Sequence, residues 1–306
     1  MSFTLLSSLT LFAMLHTAKS TETGQRKNVQ FSWENVWPNG IVPYRLDESF
    51  SKRTHSVHHL MVAFQQLEQL TCVSFRQVPD RYPSAHVLVT DGLQCSSEIG
   101  RQNQLLPQIL SLPEWCMRQA GGVLHELLHT LGFAHEHCRA DRYRFVQVHW
   151  MNLDRRYWHA FRVVDDAHRL LNYSVPYDYA SITHYGPSDF AHDPRRPVLE
   201  SRLRPFCVRR PNVLSRLDVF KINRLYGCAA NERAMQANGS DCRDWQPQCS
   251  TETLNQCRNL KVEKKSRARP GKAGHRSNES MRSYCDKLSY VRTVCRKTCG
   301  ICKEMM

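Results

Sequence analysis

Thirteen cysteines fall into two sets, and that division limits what this 306-residue chain can fold into. Six are widely spaced: Cys72, Cys95, Cys116, Cys138, Cys207 and Cys228. Seven crowd the end: Cys242, Cys249, Cys257, Cys285, Cys295, Cys299 and Cys302. Wide spacing suits a domain with its own core and a few staples. Crowding suits a small module that disulfides hold together. A linker is therefore expected over residues 229–241, where Asn238-Gly-Ser is polar. The odd total leaves at least one thiol free or paired between chains.

Residues 1–20 read as a secretory signal peptide, with an apolar run from Leu5 to Leu15 and small residues at Ala18 and Ser20. The run is too short to span a bilayer, and no later stretch is long and apolar enough. Secretion places the cysteines in an oxidising compartment and excludes a nuclear nucleic-acid role. Sequons at Asn172, Asn238 and Asn278 are then either glycan sites or chance occurrences.

The net charge of +14 raises polyanions as partners. Half of it lies in one stretch, 258–284, with nine Lys+Arg, two Glu and a net charge of +7. Pro270-Gly-Lys-Ala-Gly274 gives that stretch no helical or strand period, so it reads as a basic loop. It is either a binder of sulfated glycans or acidic surfaces, or a solvated spacer.

The chemistry concentrates between Gly121 and His137. The segment before Gly132 is Leu-rich and free of proline, which predicts a helix. His125 and His129 are four apart, on one helical face, a spacing that lets two imidazoles reach one Zn²⁺. Gly132 suits a left-handed helix end, after which the chain can bring in His135 as a third ligand. Three neutral histidines leave one coordination position open, the mark of a catalytic zinc. Glu126, turned about 100° from His125, is placed to take a proton from a water activated there. His137 has no ligand offset and reads as solvated or as a neighbour behind the ligands.

The string His125-Glu-Leu-Leu-His129-Thr-Leu-Gly132-Phe-Ala-His135-Glu-His-Cys-Arg-Ala-Asp-Arg142 marks a metzincin and resembles the astacin family of zinc metalloendopeptidases. So do Pro176-Tyr-Asp-Tyr-Ala-Ser-Ile-Thr-His-Tyr185-Gly186, Trp37–Tyr44 as a first strand and Asp218–Cys228 as a closing helix. The resemblance covers residues 28–228. It implies an α+β, two-subdomain metzincin fold with a small disulfide-rich C-terminal module, one Zn²⁺, and extracellular protein or peptide substrates. By position, His125, His129 and His135 would bind zinc, and Glu126 would be general base and acid. Tyr185 would be a resting zinc ligand that later stabilises the oxyanion. Glu136 would pair with a freed amino terminus. Cys72–Cys228 and Cys95–Cys116 would be disulfides.

Four departures stand out. Thr183 occupies the place of the family's methionine beneath the metal, and its hydroxyl needs a partner. Only residues 21–27 separate the signal from the expected mature start at Asn28. Cys138 and Cys207 are extra, and pairing them would staple the two halves; Cys138 as a fourth zinc ligand would close the site. Tyr143 replaces a usual aspartate. Arg195, Arg196, Arg202 and Arg204 are candidates for a subsite favouring an acidic residue after the cleaved bond.

The tail, 242–302, resembles a ShK-toxin-like module at both ends, through Cys242–Cys249 and Cys295-Arg-Lys-Thr-Cys299-Gly-Ile-Cys302. That likeness implies disulfides Cys242–Cys302 and Cys249–Cys295 and a link to Cys299, with Cys257 or Cys285 surplus. The rival functions are a zinc-binding pseudo-protease and a toxin-like binder acting through the tail.

Overall fold

The structure is a computed structural model and describes residues 35–102, 107–118, 120–164, 175–203, 206–228 and Cys295. The signal, residues 21–27, the linker, the three sequons, the basic stretch, Cys242, Cys249, Cys299 and Cys302 lie outside the described residues.

Val42 and Tyr44 turn inward from a strand whose other residues are less buried, following the two-residue period of extended chain. This strand, β1 (Ile41–Leu46), sits inside a five-stranded sheet with β2 (Ser74–Gln77), β3 (Val87–Thr90), β4 (Ser96–Ser97) and β5 (Gln108–Ser111). The order is β2-β1-β3-β5-β4, and only β4 runs antiparallel to its neighbour. The parallel β1–β2 pair needs a crossover. The short α1 (Glu48–Ser51) and the longer α2 (Thr54–Leu70) supply it. Leu60, Phe64 and Leu67 recur on one face of α2 and are buried, with Phe64 stacked on Phe75 at 3.9 Å.

After α3 (Glu114–Met117) comes α4 (Ala120–Thr130), the helix that carries the histidine motif. Val123, Leu124, Leu127 and Leu128 bury its apolar side in the core under the sheet. Its end is fixed in two ways. Trp37 Nε1 donates to the Thr130 carbonyl at 2.8 Å. Phe133 N–H reaches Leu128 O at 3.0 Å while Gly132 N–H reaches His129 O at 2.8 Å, the paired bonds of a Schellman cap. Gly132 takes the φ of 106° that such a cap requires.

A second core follows, around Phe145, Phe161, Tyr177, Tyr179 and Phe206. It carries the antiparallel pair β6 (Val146–Val148) and β7 (Leu199–Ser201). Cys295, from the cysteine-rich end, is fully buried in this core. The last helix among the described residues, α5 (Arg216–Leu225), begins with a reciprocal cap between Ser215 and Asp218.

Cys72–Cys228 ties the end of α5 to the end of α2, and Cys95–Cys116 ties the loop before β4 to α3. The staple weighed between Cys138 and Cys207 is not formed. Cys138 is a free, buried thiol whose Sγ donates to the Ala160 carbonyl at 3.2 Å. Cys207 is disulfide-bonded, as is Cys295.

Candidate metal centre

The helical spacing and the Schellman turn bring His125, His129 and His135 to one point. Nδ1 of His125 lies 2.8 Å from Ile182 O, and Nδ1 of His129 lies 2.6 Å from Phe133 O. Those nitrogens therefore carry the hydrogens, and each Nε2 presents a lone pair. The three Nε2 atoms stand 3.1, 3.1 and 3.2 Å apart. Lone pairs facing at that range repel unless a cation lies among them. Three nitrogens bound to one tetrahedral zinc at 2.0–2.1 Å would stand about 3.3 Å apart. Burial favours the neutral, ligating form. It pulls His125 down to about 4 and His129 to about 3, and holds His135 well below its ordinary range. The residues present thus fit a zinc site.

Glu126 is buried beside this point, which pushes its carboxyl up to about 8 against the opposing bond from the Ser97 backbone N–H. The Tyr185 ring centroid is 4.4 Å from that of His135, and the ring stacks on His137 at 4.2 Å. Burial raises the Tyr185 phenol above its ordinary value.

His137 is not solvated. It is fully buried between Tyr185 and Phe161, 3.3 Å from Ala160 O, and so lies behind the ligands. Thr183 finds its partner in Ser181, at 3.0 Å between hydroxyl oxygens. Ser181 Oγ donates to Asp218 at 2.7 Å, so the Thr183 hydroxyl is the donor in that contact. The Cys138 thiol is pushed up to about 12 by burial and is not part of the triad.

Glu136 is saturated. Its Oε1 accepts from Arg139 at 3.0 Å and from the Asp178 N–H at 2.8 Å, while Oε2 accepts from Lys221 Nζ at 2.6 Å. Asp178, Asp218, Lys221 and Arg139 escaped the reading of the sequence. The only local signal was Ser215-x-x-Asp218, a capping pattern that discloses one of Asp218's partners. Three of the four subsite arginines have partners. Arg195 and Arg196 pair with Asp193, and Arg202 bonds Gln147, while Arg204 lies outside the described residues. Arg210, beside Gly186, pairs with Asp189.

A helix-borne histidine triad, an adjacent buried glutamate and a capped turn define a metzincin-type metal centre. Residues 29–227 match the model of the Astacin peptidase family, and the chain belongs to that family. It is similar to zinc metalloproteinase nas-27 of Caenorhabditis elegans, 34% identical over 189 residues, 61% of this chain and 43% of the nematode protein. It is also similar to the astacin-like metalloendopeptidase of Mus musculus, 33% identical over 201 residues, 64% of this chain and 44% of the mouse protein. Among solved structures, it resembles high choriolytic enzyme 1, a hatching enzyme zinc-protease from Oryzias latipes. There the TM-score is 0.58 with 31% identity, over 65% of this chain and 97% of that chain. The chain spans less than half the length of these two curated relatives.

Proposed function

We propose that this protein is a secreted zinc endopeptidase that hydrolyses peptide bonds in extracellular proteins or peptides. The observation that carries the reading is the convergence of three histidine Nε2 atoms, with a buried glutamate beside His125 in the chain. His125, His129 and His135 hold the ion. Zinc supplies a Lewis acid that polarises a carbonyl and lowers the pKa of a water to about 7. Glu126 in its carboxylate form accepts the proton of the attacking water and returns it to the leaving amine. Tyr185 donates its phenol hydrogen to the developing oxyanion. Arg195, Arg196, Arg202 and Arg204 are the residues of this reading that would favour an acidic side chain after the cleaved bond.

Residues 1–20 support secretion, and the +7 stretch supports capture on sulfated glycans. The cysteine spacing supports a ShK-like tail. Asn172, Asn238 and Asn278 are the glycan acceptors of this reading. Nothing observed favours the pseudo-protease or the toxin-like binder. Cleavage of a mixed peptide library by the full chain tests the proposal. Turnover should require zinc and fall about 10²–10⁴-fold in Glu126→Gln. A zinc-loaded wild-type chain without turnover would defeat it.

A further inference from the structure

Two of the three histidines are aimed by backbone carbonyls; among the described residues, His135 Nδ1 has no such carbonyl. What fixes His135 must come from its surroundings, and the next residue in the chain is Glu136.

The Glu136 carboxylate is nearly sealed from water and gathers three segments. Arg139 brings the turn that follows it, and the Asp178 N–H brings the run of turns toward Tyr185. Lys221 brings α5. Lys221 is equally buried, and a buried ammonium without its carboxylate is strongly unfavourable, so this contact holds the two elements together.

One turn earlier on the same helix, Asp218 accepts from the Ile182 N–H at 2.8 Å. Ile182 in turn offers its carbonyl to His125 Nδ1. Helix α5 thus reaches two ligands by separate routes. Asp218 acts through Ile182 on His125, and Lys221 acts through Glu136 on His135.

We propose that Lys221 is a positioning residue for the metal triad. It fixes the Glu136 turn, and with it His135, from within the chain. The Glu136 carboxylate needs no charged amino terminus, and a chain start would have to displace Lys221 to reach it. The proposal rests on the zinc reading above, so its test reads metal binding as well as turnover.

The full chain and its Lys221→Met and Lys221→Arg variants would be compared. The readouts are zinc affinity against a chromophoric chelator, the visible spectrum of the Co²⁺-loaded protein, and kcat and KM. Lys221→Met should weaken zinc binding about 10–100-fold, as loss of a ligand-orienting partner does. It should also shift the cobalt bands and lower kcat with KM held within about twofold. Lys221→Arg should recover most of the loss. Chains beginning at Thr21 and at Asn28 should bind zinc alike. If Lys221→Met does not fold, the double variant Glu136→Leu/Lys221→Met removes both charges together. Restored packing with weakened zinc supports positioning. Wild-type zinc affinity and cobalt spectrum in Lys221→Met, or in the double variant, would overturn it, as would tighter binding on starting at Asn28. A wild-type chain that binds no zinc would instead remove the zinc reading beneath it.

Discussion

His125 Nδ1 lies 2.8 Å from the Ile182 carbonyl, so the first histidine of the triad is oriented by the turn that runs beneath it. Ile182 belongs to the core of the sheet, while Tyr185, three residues on, packs on the second core. The turn therefore joins the halves at the metal point, and changes there should separate into effects on binding, chemistry and stability.

Metal removal should act on stability as well as turnover. Three imidazoles facing one another, His129 buried and His125 and His135 half-buried, lose their reason for convergence without a cation. Zinc at 1,000 times its Kd stabilises a binder by about 4 kcal/mol. Thermal unfolding in excess chelator should show a clearly lower midpoint, restored by adding zinc. An unchanged midpoint would mean that the triad holds no ion.

Tyr185→Phe keeps the ring against His135 and His137 and removes only the hydroxyl. An oxyanion donor that acts in the transition state contributes about 10²–10³ in kcat. The variant should lose that order of kcat, with KM little changed and zinc fully retained. Equal loss in KM would assign Tyr185 to substrate binding.

Thr183→Val tests the hydroxyl that stands where the family has methionine. Thr183 donates to Ser181, and Ser181 donates to Asp218, so valine breaks the outer link of a buried chain. Removing one such partner costs about 1 kcal/mol. Urea unfolding should show that loss with unchanged slope, and zinc affinity should stay within a few-fold.

Asp178 makes stability fall toward neutral pH. Burial, with the Asp218 charge beside it, pushes its carboxyl up to about 7 from an ordinary value of 3.8. A group with a raised native pKa contributes its full stability below 3.8 and loses it as pH rises through about 7. Asp178→Asn keeps an acceptor for the Ala180 N–H and removes the titration. Its stability should be flatter than that of the wild type between pH 4 and 7. Glu136 has the opposite sign: its charge partners hold it down at about 2, so its contribution disappears only below 4.5. Parallel profiles for wild type and variant across the upper window would refute the assignment.

The triad was legible because its members are neighbours in sequence, joined by one helical turn and one glycine-capped reversal. The first strand and closing helix were legible only through family likeness, on Trp37–Tyr44 and Asp218–Cys228; the structure adds the inward alternation at Val42 and Tyr44 and the Ser215 cap. Lys221 was not. Its partner Glu136 is 85 residues away, and a lysine on a short helix ordinarily reads as solvated. His137 was left between solvated and behind the ligands, since nothing in its local sequence shows that Tyr185 and Phe161 cover it. Cys138 seemed to ask for a partner because it was counted among disulfides. In the fold it is a small apolar side chain of the core.

All the residues assigned to the centre, from His125 to Lys221, lie inside the loop that Cys72–Cys228 closes. A single backbone cut anywhere between those cysteines leaves two fragments joined by that bond. For a chain proposed to cut other chains, its neighbours included, the clasp makes one self-inflicted nick survivable. The histidine helix and α5 remain parts of one molecule after the damage.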